Sequence, residues 1–155
     1  SSYLGSDGSI ANVLFARSVN TNEKFAVESD FNDGFEGDNM HAIYQNGKEV
    51  YKFAVKALPH AFEKSAEKIG ISADEIDLFV PHQANLRILE TAAKNLGVSM
   101  DKFFVSLDKF GNTSSASIPI ALDIALEENK IKDGDKICLV GFGAGLTSAS
   151  IIMEF

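Results

Sequence analysis

A single cysteine, Cys138, among 155 residues leaves no partner for an internal disulfide and no cysteine-built metal centre. Tryptophan is absent. Positive charge is in deficit: 14 Lys and Arg against 22 Asp and Glu give a formal net charge of −8, which argues against nonspecific binding to nucleic acid or an anionic membrane. A local basic patch is still possible. No apolar run reaches the roughly 20 residues of a membrane span, and Ser1-Ser2-Tyr3-Leu4-Gly5-Ser6-Asp7-Gly8 has neither the basic nor the apolar region of a secretion signal. The expectation is a cytoplasmic protein that neither enters a membrane nor binds nucleic acid. The opening also lacks a methionine, as a piece of a longer chain would.

What is present is enough for one domain: 45% of the residues are hydrophobic, twelve of all residues being phenylalanine. Residues 1–44 read as an amino-terminal extension and irregular loop, with a Gly/Ser/Asp turn region, a short apolar run over 10–15 and an Asn/Asp/Glu/Gly stretch over 18–39. Asp30-Phe31-Asn32-Asp33-Gly34 resembles a calcium loop, but an EF-hand needs Gly at the sixth position and Glu at the twelfth, where Phe35 and His41 stand. No metal site is assigned. Residues 45–155 read as the core. A helix is expected over 48–69, kinked or broken at Pro59 and stopped by Gly70, followed by a capping box at Ser72-Ala73-Asp74-Glu75.

The chain is organised around Val80-Pro81-His82-Gln83-Ala84-Asn85. It follows an apolar run over 76–80 that suits a buried strand, and it leads into a helix on which Leu86, Leu89, Ala93 and Leu96 recur before the stop at Gly97. Strands are further expected over 103–107, 136–141 and 147–155, with a helix over 114–129 that tolerates Pro119 in its first turn. The last two strands are joined too closely for a crossover, so they form an antiparallel hairpin in an otherwise parallel-leaning, mixed sheet covered by helices.

If the first three core strands are parallel, His82, Asn112 and Phe142-Gly143-Ala144-Gly145 follow their carboxyl ends and open on one edge of the sheet. An imidazole, a carboxamide and exposed backbone amides suit an oxygen that gains negative charge; each preorganised donor is typically worth about 3–4 kcal/mol. A nucleophile is missing. Cys138 lies in Ile137-Cys138-Leu139-Val140, where burial makes a thiol inert, and Ser114, Ser115 and Ser117 lack the nucleophile elbow. The glycines at 141, 143 and 145 are followed by Leu146 and do not make a nucleotide fingerprint. By spacing alone, His82 is also readable as a structural or surface histidine, Asn112 as a turn residue and the glycines as what a tight connection needs.

Val80-Pro81-His82-Gln83-Ala84-Asn85-Leu86-Arg87-Ile88, then Gly111-Asn112-Thr113-Ser114, then Gly141-Phe142-Gly143-Ala144-Gly145, resembles the carboxy-terminal half of β-ketoacyl-acyl-carrier-protein synthase III, a thiolase-fold condensing enzyme. The resemblance covers residues 45–155 and implies an α/β, thiolase-like half with a mixed five-stranded sheet and helices on its faces. It also implies an acyltransferase that joins acyl-CoA to malonyl-acyl-carrier-protein by decarboxylating Claisen condensation, starting fatty acid synthesis without a permanently bound cofactor. His82 and Asn112 would donate to the malonyl thioester oxygen, and the Ala144 amide would form the oxyanion hole of the acyl thioester. Acyl carrier protein would dock on Gln83, Ala84, Asn85, Leu86, Arg87, Lys94 and Lys52, while Gly47, Asn85 and Phe142 would border the pantetheine channel. The family's nucleophilic cysteine belongs to an amino-terminal half with no counterpart here, so that half and a second copy in a homodimer are implied partners. These 155 residues alone are expected to be inactive.

Two other readings remain open: a thiolase-fold acyltransferase of a secondary pathway, and a noncatalytic carrier-binding module.

Overall fold

The computed structural model describes residues 1–16 and 43–155. The expected excursion over 18–39, the rejected calcium loop and His41 lie outside them.

Strand β4 (Leu78–Pro81) is buried at all four positions, as an apolar run covered on both faces must be. It pairs in parallel with β5 (Lys136–Gly143), which pairs antiparallel with β6 (Thr147–Glu154), which pairs antiparallel with β1 (Ser2–Ser6). The sheet order is β1-β6-β5-β4, and the expected hairpin of the last two strands is β5–β6. A separate two-stranded ribbon joins β2 (Leu14–Ala16) to β3 (Ile43–Gln45).

Two strand expectations need correction. The chain over 103–107 contributes one parallel bridge, Phe79 to Phe103, with the Phe104 N–H donating to the Phe79 carbonyl at 2.8 Å, so the fifth strand is reduced to a single contact. The ladder stops because the Ser106 N–H goes to the Gln83 side chain and the chain then turns into α3 (Leu107–Phe110). Conversely, β1 was not expected. Its five residues carry little apolar signal, and pairing with β6 supplies what local preference does not. Tyr3 turns inward, edge-on to His60 at 5.7 Å, while Leu4 is 83% exposed.

Helix α1 (Gly47–Ala66) begins where Asn46 Oδ1 accepts from the Glu49 N–H at 3.3 Å. It ends three residues before the expected point, with Gly70 at φ 68 in the turn beyond. It also runs on through Pro59, which is buried; a neighbouring helix supplies the donor that the proline lacks. The capping box holds, with the Glu75 carboxylate accepting from the Ser72 N–H at 2.8 Å. Helix α2 (Leu86–Leu96) matches the expected span: Asn85 caps its start, and Gly97, at φ 72, ends it. Its buried stripe is Ile88, Leu89, Ala92 and Ala93, whereas Leu86 is 47% exposed. Helix α4 (Ser117–Glu127) follows a 3-10 turn over Ser114–Ala116, and Pro119 sits harmlessly in its first turn.

Helices α1 and α2 cover one face of the sheet around Leu58, Phe62, Phe79 and Leu89, and α4 covers the other around Val80, Ala121, Ala125 and Ile137. Phe79 is fully buried between Phe62, edge-on at 5.3 Å, and Phe103, stacked at 4.9 Å. Burying such a ring contributes about 1.5–3 kcal/mol, and this one pins β4 where it delivers His82.

Candidate active site

The segments that follow β4, β5 and the Phe103 bridge all open on one edge, because β4–β5 and the bridge are parallel. They bound a cavity of about 990 Å³ whose lining includes His82, Asn112, Ser117, Phe142 and Ala144. Among the described residues that line it, none is Asp, Glu, Lys or Arg. The cavity therefore offers neutral dipoles.

His82 is held at several points. Its N–H donates to the Val140 carbonyl at 2.8 Å, its Nδ1 lies 2.6 Å from Ser117 Oγ, and its ring meets Phe142 edge-on at 5.4 Å. Burial of the ring holds its pKa below the ordinary 6.5, since an apolar surround penalises imidazolium. The neighbouring strand passes close by at Gly141, where a Cβ would come within 3.3 Å of Ile118 Cδ1 and 3.4 Å of His82 Cβ.

Asn112 is exposed at the mouth of the cavity, and its Oδ1 accepts from the Ser114 N–H at 3.0 Å. Ser114, at φ 53 in the left-handed region, folds the chain back to make that bond. With the amide oxygen turned to Ser114, the two N–H donors remain for a ligand. Ala144 is exposed in the β5–β6 turn, which Thr147 Oγ1 braces by donating to the Ala144 carbonyl at 3.1 Å. Cys138 is fully buried and its thiol is pushed far up by desolvation, which removes it as a nucleophile.

Of the implied channel residues, Gly47, Asn85 and Phe142 all line the cavity. The implied docking residues divide. Asn85, Leu86, Arg87 and Lys94 are exposed around α2, Ala84 is half-buried, and Lys52 is exposed and paired with Glu49 at 2.7 Å. Gln83 must be removed from that group. It is 1% exposed, its Nε2 donates to the Pro81 and Phe104 carbonyls at 2.9 and 3.0 Å, and its Oε1 accepts from the Ser106 N–H at 2.9 Å. A side chain so spent cannot touch a protein at the surface. It ties the His82 loop to the segment that leads to Asn112.

Sequence reasoning missed Ser117, considered there only as a nucleophile. No spacing rule pairs residues 35 apart, and the contact emerges only when α4 packs beside β4. No group of His, Cys, Asp and Glu suited to a metal ion occurs among the described residues.

A mixed sheet between helices, with a histidine, an asparagine and a glycine-flanked turn at one edge, is the architecture of a thiolase-like half. The chain belongs to the family described as 3-oxoacyl-(acyl-carrier-protein) synthase III C terminal, which matches residues 66–155. It is 44% identical over 152 residues to the beta-ketoacyl-(acyl-carrier-protein) synthase III of Clostridium acetobutylicum, covering 98% of this chain and 45% of that protein. With the enzyme of the same name from Oceanobacillus iheyensis it shares 53% identity over 113 residues, covering 73% of this chain and 36% of that one. The crystal structure of 3-oxoacyl-(acyl-carrier-protein) synthase III from Aquifex aeolicus superposes with a TM-score of 0.83 at 34% identity, covering 99% of this chain and 43% of the other. The chain thus spans less than half the length of the curated relatives it matches.

Proposed function

We propose that this chain forms the donor half of a cytoplasmic, homodimeric 3-oxoacyl-acyl-carrier-protein synthase III, whose nucleophilic cysteine comes from an amino-terminal half outside these 155 residues. The observation that carries the reading is the shared cavity: His82, Asn112 and Ala144 line one chamber whose described walls bear no charged side chain. In the first stage the cysteine thiolate attacks an acyl-CoA thioester and coenzyme A leaves, the Ala144 N–H stabilising the oxyanion. In the second, malonyl-acyl-carrier-protein docks on the exposed face of α2 around Leu86, Arg87 and Lys94, with Lys52 beside it. Its pantetheine arm passes Gly47, Asn85 and Phe142.

Decarboxylation then breaks the bond to the malonyl carboxylate, and the electron pair moves toward the thioester oxygen. The neutral His82 imidazole and the Asn112 carboxamide donate hydrogen bonds to that oxygen, stabilising it more as charge develops. The enolate carbon attacks the acyl-enzyme carbonyl, and the cysteine thiolate departs. No permanently bound cofactor is needed, since dipoles alone stabilise the charge.

The test is carbon dioxide release from malonyl-acyl-carrier-protein by the full-length protein in the presence of acyl-CoA. Stoichiometric release with formation of a 3-oxoacyl product is expected. Acyl transfer to another acceptor without carbon dioxide would replace this reading with that of a non-decarboxylating acyltransferase.

A further inference from the structure

We propose that Ser117 is a positioning residue that fixes the tautomer of His82, holding the neutral imidazole with its proton on Nε2 and thus as a hydrogen-bond donor toward the cavity. The assignment deepens the function proposed above and rests on it for its purpose, although its geometry stands independently.

Ser117 opens α4 and is 2% exposed. Its hydroxyl has two partners: the Gln83 backbone N–H, which donates to Oγ at 3.2 Å, and His82 Nδ1 at 2.6 Å. A hydroxyl carries one hydrogen and two acceptor lone pairs. Gln83 can only donate, so it occupies a lone pair. Either the hydroxyl hydrogen then points at Nδ1, or Nδ1–H fills the second lone pair and that hydrogen is left in a buried site without an acceptor. Folded proteins rarely accept the second arrangement. Nδ1 is therefore the acceptor, and the proton of a neutral ring sits on Nε2.

The surroundings point the same way. Where histidine acts as a base, a carboxylate commonly receives Nδ1–H and leaves Nε2 bare. Here a hydroxyl stands in that position, and no Asp or Glu occurs among the described residues lining the cavity. The ring is also half-buried against Phe142, which disfavours the doubly protonated form. Ser117 turns the same imidazole from base into donor.

The experiment is long-range 1H–15N correlation of the histidine rings in the 15N-labelled protein, at a pH above the His82 titration, with the His82 signal assigned by its loss in His82→Gln. The wild type should show an unprotonated Nδ1 and a protonated Nε2. Ser117→Ala should move both nitrogens toward the averaged shifts of mixed tautomers, and Ser117→Thr should restore the wild-type pattern. If the alanine variant does not fold, Ser117→Cys, whose thiol is a weaker donor, is judged by the same criterion. A wild-type proton on Nδ1, or an unchanged pattern in the alanine or cysteine variant, would overturn the assignment. In the full-length protein Ser117→Ala should also lower kcat for decarboxylation roughly tenfold at unchanged KM, less than the hundredfold or more expected when the donor itself is removed. The tautomer is read without turnover, so a failure of the proposed reaction would be recognised separately.

Discussion

The side-chain amide of Asn95, on α2, donates at 3.0 Å to the backbone carbonyl of Val55, the acceptor that Pro59 leaves without its helical donor four residues on. This contact lets α1 pass through a proline and fastens α2 to it. Asn95→Ala should destabilise the protein by about 1 kcal/mol. In a Pro59→Ala background, where residue 59 regains an N–H for Val55, the same substitution should cost almost nothing. A double-mutant cycle by urea denaturation measures the coupling; strictly additive effects would mean the contact does not replace the helical bond.

His82→Ala and Asn112→Ala in the full-length protein should each lower decarboxylation about a hundredfold or more. Asn112→Asp is the sharper test, because it keeps the shape and removes the donors. Its loss should be at least as large as that of the alanine variant, measured as carbon dioxide release under saturating substrate. Near-normal turnover in the aspartate variant would show that residue 112 does not act by donating.

Burial lowers the His82 pKa below the 6.5 of an unhindered imidazole, so the unfolded chain binds more protons than the folded one between the two values. Stability from this residue is full above about 6.5 and is lost as pH falls toward the lower folded value. Urea denaturation of wild type and His82→Gln should therefore show the wild type losing more stability on acidification through that window. Equal losses would mean the ring is not desolvated in solution.

Gln83 and Arg87, four residues apart, should behave in opposite ways. Gln83→Leu strands the Ser106 N–H and the carbonyls of Pro81 and Phe104, and should cost about 3 kcal/mol in urea denaturation. Arg87→Glu, on the exposed face of α2, should change stability by less than about 0.5 kcal/mol. In the full-length protein it should raise KM for malonyl-acyl-carrier-protein while leaving KM for acyl-CoA unchanged. Intact stability in Gln83→Leu would return that residue to the docking surface.

The parts of the molecule legible in the sequence are those whose signal is local. Apolar spacing, an Asn cap and a Gly stop mark α2 completely, and the short Gly143-Ala144-Gly145 link forces the hairpin. Convergence of His82 and Ala144 follows from the parallel direction of β4 and β5, and the single Phe79–Phe103 bridge brings the Asn112 segment to the same edge. What escaped depends on partners distant in the chain. β1 is a strand because β6 offers it a ladder 141 or more residues away, and the 103–107 run fails as a strand because Gln83 captures the Ser106 N–H. Pro59 reads as a break until Asn95 is seen beside Val55. Gln83 stands between the half-buried His82 and Ala84, just before the exposed Asn85, Leu86 and Arg87, and nothing in its neighbours announces that its polar side chain turns fully inward.

Gly141 sets only a hydrogen atom beside the His82 side chain, and a methyl group there would press on Ile118 Cδ1 at 3.3 Å and fill the remaining space to His82 Cβ. Reshaping this chamber is accordingly less disruptive at the rim, where Ser115 and Ala144 stand open to solvent, than beside Gly141.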